Sequence, residues 1–193
     1  GKTLAFTATY EGPSEVYTMP VEGGLPQRWT YEADASIVAG WTPDGELVYT
    51  SRAYSTLPDW QTLKINLETR NVSHYPLSQA SEASLSSDGR TIYFVRPAYH
   101  SNVTKRYMGG TARKIWKYTE GSAEAVQLSD QYKGESHHPM CWNNRLYFIT
   151  DRDGIMNIWS MTVDGEDYRQ QRALGDPHWH PGLDGGEDLR CGS

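Results

Sequence analysis

Apolar residues in this chain come in short runs separated by polar turns, and never at the three-and-four spacing of a helix. Four runs are alike: Leu4-Ala5-Phe6-Thr7, Leu47-Val48-Tyr49-Thr50, Ile92-Tyr93-Phe94-Val95 and Leu146-Tyr147-Phe148-Ile149. A second run follows each, as Val16-Tyr17-Thr18-Met19, Leu63-Lys64-Ile65-Asn66, Ile115-Trp116-Lys117-Tyr118 and Ile158-Trp159-Ser160-Met161. Next comes a turn (Glu22-Gly23-Gly24, Glu68-Thr69, Glu120-Gly121, Asp164-Gly165), then a short polar strand such as Val72-Ser73-His74 or Val126-Gln127. Ahead of two first runs lie Trp41-Thr42-Pro43-Asp44-Gly45 and Ser86-Ser87-Asp88-Gly89. Asp-Gly between strands is a strong hairpin signal, because glycine accepts the positive φ of a tight turn.

The first runs begin at Leu4, Leu47, Ile92 and Leu146, at intervals of 43, 45 and 54 residues. A propeller blade is about 40–50 residues long. The pattern therefore predicts an all-β propeller of about four blades, each of four antiparallel strands, as a partial ring or one closed by oligomerisation. Phe6, Tyr49, Phe94 and Phe148 occupy one repeated position, and Tyr17, Trp116 and Trp159 another, so most of both sets should be buried between blades. The third repeat is longer because of an insert over residues 97–110, which should project from one rim. Residues 1–170 are expected to form the blades as one domain, and residues 171–193 a divergent tail.

Composition sharpens this picture. Of 193 residues, 37% are hydrophobic, 22% charged and 12% aromatic, which suits a packed globular protein rather than a disordered one. A net charge of −6 argues against affinity for nucleic acid or an anionic membrane surface. No apolar run reaches the roughly 20 residues of a membrane span. The chain opens inside a strand pattern without a signal peptide, from which we expect preceding sequence. Two cysteines, Cys141 and Cys191, are too few for a disulfide scaffold. They point to a reducing compartment, the cytoplasm, with the periplasm as the alternative.

Candidate chemistry is sparse. Nucleophilic catalysis needs Ser, His and a carboxylate converging in space, and no Gly-x-Ser-x-Gly elbow occurs. His178 and His180 would share a strand face, and His137-His138 lie near Cys141, but neither group has the spacing of a closed four-ligand site. No metal or other cofactor is expected. Asp151-Arg152-Asp153-Gly154 is too short for a calcium loop and reads as a hairpin turn. The insert and its flanks gather Arg96, Lys105, Arg106, Arg113 and Lys114, a local basic excess that could receive acidic peptides. The alternatives are a solvated rim loop or a surface that docks on further domains.

The phrases Trp41-Thr42-Pro43-Asp44-Gly45 and Asp151–Met161 resemble the propeller repeats of TolB-like proteins and tricorn proteases. Gly12–Pro20, Thr104–Ala112 and Arg145–Gly154 look more specifically like the amino-terminal six-bladed propeller of the tricorn family, with a resemblance covering about residues 1–170. The resemblance implies a non-catalytic module of a large cytosolic serine peptidase, a passage or selectivity element binding peptide or protein on a rim. No catalytic residue carries over. A stand-alone, self-associating scaffold derived from such a fragment is the alternative, and retained peptidase activity a third reading. By the same resemblance the first blade lacks its opening strand, and Asp176–Gly185 in the tail resembles that strand and its turn, able to pair beside Leu4-Ala5-Phe6.

Overall fold

In a computed structural model, residues 1–32, 34–57, 59–98, 106–129 and 131–171 are described. Fifteen strands, β1 to β15, follow one another without a helix among the described residues. No helix there is long and apolar enough to cross a membrane. The first sheet is three-stranded: β1 (Thr3–Ala8), β2 (Glu15–Pro20) and β3 (Gln27–Arg28). The second has four strands in sequence order: β4 (Ser36–Trp41), β5 (Leu47–Ser51), β6 (Gln61–Ile65) and β7 (Val72–His74). The third repeats this with β8 (Ser81–Leu85), β9 (Thr91–Arg96), β10 (Lys114–Thr119) and β11 (Val126–Gln127). The fourth consists of β12 (Ser136–Trp142), β13 (Arg145–Thr150), β14 (Asn157–Thr162) and β15 (Arg169–Gln170). All pairings are antiparallel, and the four sheets are the blades of a β-propeller.

The register aligns the repeats residue by residue. Phe6 faces Tyr17, Tyr49 faces Leu63, Phe94 faces Trp116 and Phe148 faces Trp159. Leu63, rather than the Lys64 that the runs alone would align, is thus the second blade's member of the second set. Tyr49, Phe94 and Phe148 are fully buried, and each faces the preceding blade. Phe148, Leu146 and Met161 pack on Tyr93, Ile115 and Leu128 of the third blade. Tyr49, Leu47 and Leu63 do the same with Val16 of the first. Phe6 is only half-buried, because no described blade precedes the first.

The second aromatic set departs from expectation. Tyr17 is buried, but Trp116 and Trp159 are half-buried. Both still pack against the clusters between blades, and a guanidinium lies over part of each broad indole: Arg96 is 4.8 Å from the Trp116 ring and Arg152 5.1 Å from the Trp159 ring.

The first blade does lack an opening strand among the described residues, as the sequence implied. The tail proposed to supply it lies outside the described residues. Successive blades meet through β1 and β4, β4 and β8, and β8 and β12. The opening strands β4, β8 and β12 are therefore the innermost of their blades and face the ring axis, and β1 is the innermost described strand of the first.

Candidate functional site

Each opening strand begins with a serine, Ser36, Ser81 or Ser136, and is then broken by a bulge. The register slips between Val38 and Gly40, between Ser81 and Ser84, and between His137 and Met140. A bulge turns one side chain out of the alternating pattern and is common beside functional sites. Glu82 and His138 occupy the same bulge position in adjacent blades, both with left-handed backbone (φ 49° and 51°). That conformation is unusual for residues with a Cβ. It brings the two side chains together at one mouth of the axis.

There the His138 backbone N–H donates to Glu82 Oε2 at 2.8 Å, and His138 Nδ1 lies 3.3 Å from the same oxygen. The His137 and His138 Nδ1 atoms are 2.5 Å apart. Arg113 is buried behind them and ion-pairs with Glu82 at 3.3 Å and Glu135 at 2.7 Å. Burial, then the Arg113 charge, then His138 hold His137 down to about 3, so it is neutral near pH 7. His138 keeps 60% of its side chain exposed. The cluster thus joins a buried neutral imidazole, an exposed imidazole and a carboxylate, with a cation fixed behind them.

The five basic residues singled out in the sequence do not form one free patch. Arg113 belongs to this cluster and is buried. Lys114, one residue on and pointing the other way, donates through Nζ to the carbonyls of Tyr132 (2.5 Å) and Gly134 (2.6 Å), and burial lowers its pKa. Arg96 donates to the Gln79 carbonyl and lies over Trp116, again with its pKa lowered by burial. Arg106 is exposed, with Nε donating to the Gly154 carbonyl at 2.9 Å, so the insert's return reaches the β13–β14 turn of the next blade. Lys105 lies outside the described residues.

The opposite rim, where the Asp44-Gly45 and Asp88-Gly89 turns lie, carries open grooves among the described residues. One of about 320 Å³ runs between Ala39–Pro43 and Ala83–Ser87. A larger one of about 650 Å³ separates Leu85–Asp88 from Cys141–Asn144, with Tyr93 and Lys117 along it. The Cys141 thiol at its edge is raised above its ordinary pKa, first by burial and then by Asp88, which suppresses thiolate chemistry.

Sequence reasoning named His137, His138 and Arg113 but missed Glu82 and Glu135. The adjacent histidines were a visible signal. Their carboxylate partner sits 56 residues before His138, and no spacing rule reaches that far.

Comparison with known proteins places this geometry. The profile of the tricorn protease N-terminal β-propeller domain matches residues 1–179. Tricorn protease homolog 1 of Streptomyces coelicolor is 30% identical over 173 residues, covering 88% of this chain and 16% of the relative. Tricorn protease of Thermoplasma acidophilum is 30% identical over 173 residues, covering 84% and 16%. The chain therefore spans about a sixth of the relatives it matches. A crystal structure of tricorn protease superposes with a TM-score of 0.75 at 26% identity, covering 91% of this chain and 18% of that one. A putative TolB from Agrobacterium tumefaciens superposes with a TM-score of 0.69 at 18% identity, a likeness of fold alone. The matched part of the tricorn relatives is the propeller, not their catalytic region, and this chain belongs to the family of tricorn protease N-terminal β-propeller domains.

Proposed function

We propose that this chain is a non-catalytic binding module of a cytoplasmic, tricorn-like serine peptidase, taking peptide or protein on the propeller rim that carries the insert. The observation that carries the proposal is the family match to a propeller domain whose insert-side rim gathers polar groups from two blades. Arg106 sits exposed on that rim beside the β13–β14 turn, and the Glu82–Arg113–Glu135–His137–His138 cluster lies at the start of the opening strands on the same side. Loops on a rigid propeller scaffold are where binding residues concentrate. Lys105 and Arg106 are the residues assigned to contact acidic side chains or a peptide carboxylate, whereas Arg96, Arg113 and Lys114 hold the rim in shape. Calorimetric titration of an acidic peptide should show binding that weakens with salt. Reversing Lys105 and Arg106 to glutamate should weaken it and flatten that salt dependence. Binding unchanged by the double reversal would overturn this assignment. Peptides incubated with the pure chain should stay intact, and cleavage blocked by a serine-directed inhibitor would overturn the non-catalytic reading.

A second reading, a self-associating scaffold, is favoured by one specific observation. Among the described residues, the first and fourth blades present exposed apolar side chains on faces of complementary kind, Leu4 on one and Ile158 on the other.

A further inference from the structure

Glu82, His137 and His138 place one carboxylate oxygen and two imidazole nitrogens within 4.8 Å of one another. Facing lone pairs on two Nδ1 atoms 2.5 Å apart repel unless a proton or a cation lies between them. Metal ligation needs neutral imidazole and ionised carboxylate. We propose that these three residues bind one divalent transition-metal ion of the zinc class at the insert-side mouth of the propeller axis.

Several features fit. Two nitrogens and one oxygen form a donor set that suits zinc and its neighbours rather than calcium or magnesium. Three protein ligands leave a position for water or for a ligand's own donor atom, and the exposed side of His138 faces solvent. Arg113 adds a positive charge, but it is held between the Glu82 and Glu135 carboxylates, so these three groups together carry one net negative charge. Glu135 acts behind the ligands, drawing the guanidinium away so that a Glu82 oxygen can turn to the ion. Ligand atoms about 2.0–2.1 Å from a tetrahedral zinc lie roughly 3.3 Å apart, so the histidine pair must open slightly. His138 has room for this on its solvent side, while His137 is fixed by burial.

The test uses the full chain and cobalt(II), whose visible absorption reports nitrogen and oxygen ligation directly. We expect one cobalt bound per chain, displaced by zinc, and a rise in melting temperature with either metal. His138→Ala and Glu82→Gln, each checked for an unchanged melting temperature without metal, should weaken binding at least about tenfold. His178→Ala with His180→Ala, which removes the histidine pair in the tail, should leave it unchanged. Absence of stoichiometric binding overturns the proposal. So does binding that survives His138→Ala or disappears with the tail histidines. None of these outcomes depends on peptide binding at the rim.

Discussion

Arg152 shows how one residue's meaning depends on its neighbours. In the sequence it belongs to a hairpin turn, Asp151-Arg152-Asp153-Gly154, and the Gly154 N–H does bond back to the Asp151 carbonyl at 2.8 Å. The side chain, however, lies within 4.1–5.5 Å of the ring centroids of Tyr132, Phe148, Trp159 and Tyr168. Burial among them lowers its pKa, yet the charge remains and is held by ring faces. Replacing Arg152 by Ala, which keeps the turn but empties the box, should cost about 1–3 kcal/mol in urea unfolding. His137 makes a second residue-scale prediction. Its folded pKa, about 3, lies below its ordinary value of 6.5, so the unfolded chain takes up a proton that the native chain refuses. Its contribution is complete above pH 6.5 and is lost as pH falls toward 3, at a slope of at most about 1.4 kcal/mol per pH unit for one proton. Wild type should therefore lose stability relative to His137→Gln between pH 7 and 5. Equal pH slopes for the two would contradict the burial cost.

At the scale of elements, the repeat acts as an internal control. Register makes Val16, Thr62, Ile115 and Ile158 one position on the second strand of each blade, the neighbours of Tyr17, Leu63, Trp116 and Trp159. The first three are fully buried against the following blade, while Ile158 is 47% exposed. The strands are alike, and only the neighbour differs. Ile115→Ala should cost about 2–5 kcal/mol, whereas Ile158→Ala in the monomer should stay within about 0.5 kcal/mol. Phe148→Ala, inside the interface of the third and fourth blades, should cost about 3–5 kcal/mol. Denaturant melts of the three variants side by side check both the alignment of the repeats and the direction in which each blade faces.

On the first blade of the molecule, Leu4 is 51% exposed, although its counterparts Leu47, Ile92 and Leu146 are buried. Phe6, stacked on Tyr17 at 5.9 Å with Tyr10 edge-on, marks the face that every later blade turns toward its predecessor. Tyr147, Ile149 and Ile158 on the fourth blade mark the face that every earlier blade turns toward its successor. These are the two halves of an interface the chain forms three times internally. A head-to-tail second copy would bury both, a strongly favourable exchange of apolar surface. Under the scaffold reading, light scattering of the pure chain should report a dimer or larger species. Leu4→Asp with Ile158→Asp should then yield monomer. A wild-type monomer throughout the micromolar range would exclude self-association through these faces.

The strands, turns and blade period were legible because they arise locally. Alternating side chains, Asp-Gly turns and repeat length each act over a few residues, and they placed Tyr49, Phe94 and Phe148 in the core before any contact was known. The resemblance in Gly12–Pro20 and Arg145–Gly154 carried the family by the same route. Tertiary structure decided what depends on residues far apart in the chain. Bulges at Glu82 and His138 joined a carboxylate to two histidines across neighbouring blades. Half-buried carboxylates and backbone carbonyls took Arg113 and Lys114 out of the basic patch, because a desolvated charge must find partners inside. Packing of blade on blade left Ile158 bare while it covered Ile115, a difference that two nearly identical strands could not encode by themselves.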